Sequence, residues 1–189
     1  MAKTMGQVVL VTGPSRSGKS EWAEHLATQS GIGVTYVATA SIAADDLEWQ
    51  ARILQHQQRR PRDWLTLQVP VHLIDPLRTL TAQDCLLIDS LGTWLANLLD
   101  LEESAWITTE TAFLTCLAQC PGMVILVAEE VGWGLVPSYP LGRVFRDRLG
   151  SLVRKVAAIA DPVYLVTAGQ VLNLSQLGSP LPLPPHHQS

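Results

Sequence analysis

The chain has 189 residues, of which 47% are hydrophobic, and this size and composition favour one folded domain over a disordered or fibrous chain. Its 13 basic and 17 acidic side chains leave a net charge of −4, which argues against a large contact with nucleic acid and favours a small-molecule partner. No apolar run is long enough to span a bilayer, and no signal peptide is recognisable. Three cysteines form neither a disulfide set nor a metal motif, so we expect a cytoplasmic protein with reduced thiols: Cys85, Cys116 and Cys120.

Apolar runs alternate with helical patterns along the chain. Strands are predicted at Val8–Thr12, Val34–Thr39, Trp64–Leu67, Cys85–Ile88, Val124–Ala128 and Val163–Thr167. This alternation is typical of an α/β fold with a mostly parallel central sheet. A short apolar segment, Val171–Leu174, would add an edge hairpin. We predict a single domain over residues 1–175 and a flexible, Pro-rich tail over residues 176–189.

The first predicted strand leads into a phosphate-binding motif. Residues 13–20 read GPSRSGKS, which matches GxxxxGK(S/T), and a helical pattern follows. Glycines in such a loop let backbone N–H groups converge on an anion, and the helix N-terminus adds partial positive charge. Lys19 is placed for the β- and γ-phosphates, and Ser20 for Mg²⁺. A Gly/Ser-rich turn that matches by chance is the alternative. We predict a three-layer P-loop NTPase fold of the RecA-like class, with a nucleotide-binding loop of Gly13, Pro14, Ser15, Arg16, Ser17, Gly18, Lys19 and Ser20.

Carboxylates follow two of the later predicted strands. Asp89 comes directly after Cys85–Ile88, so it lies at the carboxyl edge of the sheet, where open α/β folds bind ligands and where a magnesium ligand is needed. The alternative role for Asp89 is to cap the next helix, which Ser90 would do equally well. Farther along, Glu129 and Glu130 open a glycine-bearing loop that is either a lid, a substrate wall or a plain connection.

The segment Asp45–Arg60 has helical composition and carries a histidine among arginines. Arg52, His56 and Arg59 have the spacing of one helix face. Arginines bind phosphates through forked hydrogen bonds, and their charge would keep the His56 imidazole neutral and nucleophilic toward phosphorus. The alternative is a solvated basic face with an incidental histidine.

The order of seven segments resembles the bifunctional adenosylcobinamide kinase and adenosylcobinamide-phosphate guanylyltransferase family of cobalamin biosynthesis. The segments span residues 7–170 and read LVTGPSRSGKSEWAE, YVATA, ARILQHQQRRPRDW, LLIDSLGTWLANLL, EEVGWGLVP, FRDRLG and IADPVYLVTAG. The resemblance implies a transferase that phosphorylates a hydroxyl of adenosylcobinamide with ATP or GTP. GTP would then guanylylate a histidine, and the corrinoid phosphate would take up GMP to give adenosylcobinamide-GDP, with pyrophosphate released.

The resemblance also implies roles for single residues. It identifies His56, Lys19 and Asp89 as catalytic, and Ser20 and Asp89 as magnesium ligands. Beyond the P-loop it implies nucleotide contacts at Ala38, Thr39, Ala40, Gln57, Gln58, Arg59, Arg60, Gln68 and Asp89. It further implies a homotrimer from which the helix carrying His56 projects.

Three positions depart from the family pattern. Gln68 stands where a glutamate is usual, and Val153 and Arg154 stand where Asn-Gln is expected. The first departure bears on a nucleotide contact, and the other two bear on the role of their helix, including its part in the kinase reaction.

Two rival functions fit part of the sequence. A P-loop kinase of small molecules without guanylyl transfer would share the P-loop and Asp89 but would have no use for His56. A non-enzymatic nucleotide switch would be expected to carry a guanine-reading loop such as NKxD, which the sequence lacks. His56 is therefore the residue that distinguishes the bifunctional enzyme from a plain kinase.

Overall fold

The computed structural model describes residues 6–41 and 60–181, in which helices and strands alternate. The elements are β1 Val8–Gly13, α1 Lys19–Gln29, β2 Gly33–Ala38, β3 Leu65–Gln68, α2 Ile74–Thr79, β4 Asp84–Asp89, α3 Leu91–Asn97, α4 Glu103–Ala118, β5 Met123–Glu129, α5 Pro140–Ala157, β6 Val163–Thr167, β7 Gln170–Asn173 and α6 Leu174–Leu177. The predicted α/β class is confirmed.

The strands of the described residues form one sheet in the order β3-β2-β4-β5-β1-β6-β7. All neighbouring strands are parallel except β6 and β7. Strand β5 separates β1 from β4, and Gly13 pairs with Glu129 while Asp89 pairs with Val127. The P-loop, Glu129 and Asp89 therefore lie at one edge of the sheet, as the sequence predicts for the loop and Asp89.

Helices cover both faces of the sheet because its central strands are apolar on both sides. Alternate residues of β1 face opposite ways: Val9 and Val11 pack in the cluster that includes Ala23 of α1. Leu10 belongs to the larger cluster on the other face, with residues of α2 to α5. In that cluster the Trp94 ring lies 4.9 Å from the Phe113 ring, measured between centroids. The result is the predicted three-layer arrangement.

Strand β3 differs from its prediction by one residue. The prediction was Trp64–Leu67, whereas the strand is Leu65–Gln68. Trp64 belongs to a preceding turn, because its backbone N–H donates to the Pro61 carbonyl at 3.2 Å. A strand therefore begins only after the turn closes.

The edge hairpin also lies one residue earlier than Val171–Leu174. Its two-residue turn consists of Ala168 and Gly169, with φ angles of 50° and 73°. Positive φ at both positions is typical of the turn that best matches the twist of two antiparallel strands. This turn pairs Thr167 with Gln170, so β7 begins at Gln170.

Some predictions fall outside the described residues. These are the helix over residues 45–59, the C-terminal tail from residue 182 onward, and four predicted site residues: His56, Gln57, Gln58 and Arg59. Arg60, the last residue of the predicted helix, lies in a bend. The predicted domain boundary at residue 175 falls within α6, and the division into domain and tail stays a prediction.

Two further features concern the cysteines and the helices. All three cysteines are free, and burial raises the pKa of both Cys85 and Cys120 to about 11. These two thiols therefore stay protonated near neutral pH. In the described parts of the chain, no helix combines the length and apolar character needed to cross a membrane.

Candidate active site

The P-loop joins β1 to α1 and needs its two glycines for different reasons. A Cβ atom at Gly13 would lie 2.2 Å from the carbonyl oxygen of Val166, so β6 passes too closely for any side chain. Gly18 has φ of 94°, a left-handed conformation that glycine adopts without strain, and α1 begins at Lys19. The turn thus directs the first N–H groups of α1 toward the loop, as an anion site requires.

Two side chains of the loop fit a bound phosphate. Lys19 is only 7% exposed, and its Nζ donates to the Pro14 carbonyl at 3.2 Å, which folds the side chain back over the loop. The Ser17 hydroxyl is buried and has no hydrogen-bond partner among the described residues. A buried polar group without a partner costs about 1–3 kcal/mol, and a phosphate oxygen would supply the missing partner. The loop therefore has the charge and the donors for an anion.

Asp89 ends β4 and does not cap the helix that follows. The Ser90 hydroxyl accepts from the Thr93 backbone N–H at 3.2 Å and so caps α3. Asp89 Oδ2 instead accepts a hydrogen bond from the Tyr36 hydroxyl at 3.0 Å. The capping alternative for Asp89 is therefore wrong, and its carboxylate stays at the sheet edge.

Ser20 and Asp89 are suitable donors for a nucleotide-bound magnesium ion. Both offer oxygen, the ligand atom that Mg²⁺ prefers, and they lie on α1 and β4 at the edge that contains the P-loop. Within residues 6–41 and 60–181, no group of three His, Cys, Asp or Glu side chains is arranged to hold a metal. A magnesium ion here would therefore depend on phosphate oxygens and water, as is usual for Mg²⁺ bound with a nucleotide.

Glu129, the last residue of β5, is a further acidic residue of this site. The sequence pattern predicts only that it opens a loop. Its Oε2 accepts the Gly92 backbone N–H at 3.0 Å, at the N-terminus of α3. Burial raises the pKa of Glu129, the Ser90 hydroxyl and the Lys19 charge oppose this, and the charge on Asp89 adds to it. The charges of Lys19 and Asp89 therefore both act on the Glu129 carboxylate.

Gly92 leaves room for the Glu129 carboxylate. A Cβ atom on Gly92 would lie 2.1 Å from Glu129 Oε2 and 2.9 Å from its Cδ. The glycine thus lets a backbone N–H of α3 contact the carboxylate directly. Any larger residue at this position would force the Glu129 side chain to move.

Glu130 forms hydrogen bonds with Thr12 and Gly13, where β1 leads into the P-loop. Its Oε1 accepts from the Thr12 hydroxyl at 2.9 Å, and its backbone N–H donates to the Gly13 carbonyl at the same distance. Thr12 itself is buried in β1. These bonds fix the end of β5 against the end of β1.

The loop after Glu130 is anchored to α5 but exposes apolar side chains. Arg146 donates to the carbonyl oxygens of Gly132 at 2.7 Å and Gly134 at 3.3 Å. Trp133 is 62% exposed and Leu135 is 96% exposed. The loop thus has a fixed path next to Glu129, and its role as lid, substrate wall or connection stays a prediction.

The segment Ala38–Ala40 after β2 is held by a buried polar network. Thr39 is fully buried, and its hydroxyl both donates to the Ser90 carbonyl and accepts from the Ser90 N–H, each at 2.8 Å. Asn97 donates to the Thr39 carbonyl at 2.8 Å and to the Pro70 carbonyl at 2.9 Å. The Thr39 side chain therefore supports the scaffold, so any nucleotide contact in this segment falls to its partly exposed neighbours.

The three departures from the family pattern have distinct locations. The Gln68 amide donates to the Ala40 carbonyl, a bond that the usual glutamate has no hydrogen to make. Val153 packs against the core and Arg154 is exposed, both near the end of α5. Leu149, four residues before Val153 on α5, would lie 3.4 Å from a Cβ atom on Gly92, so this part of the helix packs beside the N-terminus of α3. Of the three, Gln68 is the residue whose hydrogen bond reaches a segment of the candidate site.

Arg60 is the one predicted nucleotide contact of the basic segment 57–60 that lies in the described residues. Its guanidinium carbon lies 3.3 Å from the centroid of the Tyr36 ring. Tyr36 in turn bonds to Asp89, so the three side chains form a continuous row. Tyr36 opens the segment YVATA of the family resemblance, but its place inside a strand gives no sign of a role at the site. Thr12 and Glu129, like Asp89, lie near the carboxyl end of a strand, and this position could have identified them.

Comparisons with known proteins give a consistent assignment. The family described as CobU, cobinamide kinase / cobinamide phosphate guanyltransferase, matches residues 9–174. The bifunctional adenosylcobalamin biosynthesis protein CobP of Pseudomonas aeruginosa is 42% identical over 174 residues, 91% of this chain and 98% of that protein. The bifunctional adenosylcobalamin biosynthesis protein CobU of Salmonella typhimurium is 38% identical over 178 residues, 86% of this chain and 96% of that protein.

The fold is also similar to that of a solved ATPase. A prototypical ATPase from the type III secretion system of pathogenic bacteria has a TM-score of 0.55 at 11% identity, over 92% of this chain and 53% of that one. At this identity the likeness concerns the fold alone. Together with the GxxxxGK(S/T) motif of residues 13–20, this fold agrees with the predicted P-loop NTPase class.

Proposed function

Because the chain belongs to the cobinamide kinase / cobinamide phosphate guanyltransferase family of transferases, we propose that it performs both reactions on adenosylcobinamide. The first transfers the γ-phosphoryl group of ATP or GTP to a hydroxyl of the corrinoid. The second transfers GMP from GTP to the new phosphate. The observation that carries the proposal is the P-loop with its buried Lys19 at the same sheet edge as Asp89 and Glu129.

The phosphoryl transfer would use the groups at the sheet edge. Backbone N–H groups of the loop and Lys19 would hold the β- and γ-phosphates, and Ser20 and Asp89 would hold a magnesium ion. When bound, Mg²⁺ would neutralise charge on the phosphates. The acceptor oxygen forms a bond to the γ-phosphorus, the bond to the leaving nucleoside diphosphate breaks, and the acceptor proton must leave. We assign that proton to Glu129, since burial raises its pKa and a Gly92 N–H orients it.

The guanylyl transfer would use His56. Its imidazole nitrogen would attack the α-phosphorus of GTP, and the bond to pyrophosphate would break. An oxygen of the corrinoid phosphate would then attack the same phosphorus and release the histidine. This step rests on the family resemblance and on the basic residues that follow His56. Of these, Arg60 lies against the ring of Tyr36, whose hydroxyl donates to Asp89.

The purified protein tests this proposal directly. It is incubated with adenosylcobinamide, Mg²⁺ and either GTP or ATP, and the corrinoid products are identified by mass spectrometry. We expect adenosylcobinamide-GDP with GTP, and only the phosphorylated corrinoid with ATP. A phosphorylated product alone in the presence of GTP would indicate a plain kinase, and nucleotide binding without any corrinoid product would indicate a binding module.

The setting of the reaction completes the proposal. We place the protein in the cytoplasm, a reducing compartment that suits its free cysteines.

We further propose the homotrimer that the resemblance implies. Light scattering coupled to size exclusion would give three times the 20.6 kDa chain mass for a trimer, and the single chain mass would refute it.

A further inference from the structure

Tyr36 makes two contacts with groups that the proposed function uses. It lies within β2, is almost fully buried, and pairs in register with Leu87 of β4. Its hydroxyl donates to Asp89 Oδ2 at 3.0 Å. The face of its ring lies against the Arg60 guanidinium, whose central carbon is 3.3 Å from the ring centroid.

The Tyr36 hydroxyl donates its hydrogen bond to one carboxylate oxygen of Asp89. A hydrogen bond to a carboxylate is stronger than one between neutral groups, so the bond fixes which oxygen of Asp89 faces away from Tyr36.

The contact with Arg60 depends on the shape of both partners. A planar guanidinium stacks on an aromatic face, which the compact ammonium of lysine cannot do in the same way. Arg60 is partly buried, and a cation over a ring is bound more firmly when water is partly removed. The Tyr36 ring therefore limits the positions that the Arg60 donors adopt.

We propose that Tyr36 is a positioning residue that orients Asp89 and Arg60 at the nucleotide site, the hydroxyl acting on Asp89 and the ring acting on Arg60. The inference rests on the proposed function for the roles of those two partners. Because the hydroxyl and the ring act separately, two substitutions divide the effect. Tyr36→Phe removes only the hydroxyl, and Tyr36→Leu removes the ring as well.

The hydroxyl is tested by binding of β,γ-imido-ATP, measured by calorimetry in Mg²⁺ and in EDTA. The ratio of the two affinities reports what the metal contributes. Loss of a group that orients a metal ligand usually costs 10–100-fold in metal affinity, so we expect Tyr36→Phe to lower the ratio about tenfold while the affinity in EDTA stays unchanged. Tyr164→Phe is the matched control, since it removes a hydroxyl from a tyrosine of β6 that packs edge-on against Trp22.

The ring is tested by GTP affinity in EDTA. Tyr36→Leu and Arg60→Lys each remove the stack, so each should weaken GTP binding by about two- to fivefold, and the double variant should bind no more weakly than the weaker single variant. Tyr36→Phe, which keeps the ring, should retain wild-type affinity. Additive losses in the double variant would show that the two residues act independently.

Three results separate failure of this inference from failure of the proposed function. A folded Tyr36→Phe protein with the wild-type Mg²⁺ to EDTA ratio overturns the inference. If Tyr36→Phe does not fold, the Arg60→Lys variant, at a partly exposed position, still tests the inference. An unchanged GTP affinity in that variant overturns the inference. A wild-type protein that binds the analogue equally well in Mg²⁺ and in EDTA instead contradicts the magnesium site of the proposed function.

Discussion

Replacing Lys19 with alanine removes a buried positive charge from the P-loop. Two unit charges 4 Å apart interact by about 1 kcal/mol in water and about 4 kcal/mol at the effective dielectric constant of a protein site. Lys19 is 7% exposed, so the second figure is the better guide. Rehydration of the phosphates offsets part of it, and we expect a loss of about 2–4 kcal/mol, equal to a 30- to 1,000-fold weaker affinity for a triphosphate.

Calorimetry with β,γ-imido-ATP and Mg²⁺ measures this loss. Arg78→Ala is the control, because it removes one positive charge from an exposed position on α2. That variant should bind as the wild type does, whereas Lys19→Ala should lose both phosphoryl and guanylyl transfer. A Lys19→Ala protein that binds the analogue within threefold of wild type would refute the assignment of the P-loop as the catalytic phosphate site.

Three further substitutions test the other residues of the proposed mechanism. His56→Ala should abolish formation of adenosylcobinamide-GDP yet leave phosphorylated corrinoid among the products, and normal guanylyl transfer would disprove the covalent mechanism. Asp89→Asn should raise the Mg²⁺ concentration needed for half-maximal phosphoryl transfer, and an unchanged requirement would remove Asp89 from the metal site. The pKa of Glu129 is higher in the folded protein than its usual value of 4.5, because the side chain is buried. The protonated form therefore stabilises the folded state, and this contribution is lost as the pH rises from 4.5 through the pKa of the folded protein. Urea unfolding across that range should therefore show Glu129→Gln gaining stability relative to wild type with rising pH, and parallel pH profiles would contradict the burial of this carboxylate.

Local patterns were enough to predict the P-loop and the strand that ends at Asp89. The loop pattern fixes glycine, lysine and serine within eight residues, and apolar runs identify strands that are buried on both faces. Parallel topology then brings Asp89 to the same edge as the loop. The choice between Asp89 and Ser90 as helix cap was beyond the sequence, because both residue types favour that position and only the hydrogen bond to Thr93 decides.

The remaining contacts depend on residues far apart in the chain. Tyr36 and Asp89 are 53 positions apart, and Glu129 and Gly92 are 37 apart. Such pairs follow from strand order and register. An apolar run predicts a buried strand but does not predict which other strand pairs with it. The bond from Gln68 to Ala40 has the same origin, since it requires β3 to pair with β2 in one register.

The most direct test of the bifunctional account uses GTP labelled at the α-phosphate. The protein is mixed with this GTP and Mg²⁺, digested and mapped, and a second sample is chased with adenosylcobinamide phosphate. The account predicts acid-labile label on the peptide that contains His56, release of pyrophosphate, and transfer of the label to the corrinoid during the chase. Unlabelled protein that nevertheless binds GTP, with no label reaching the corrinoid, would contradict it.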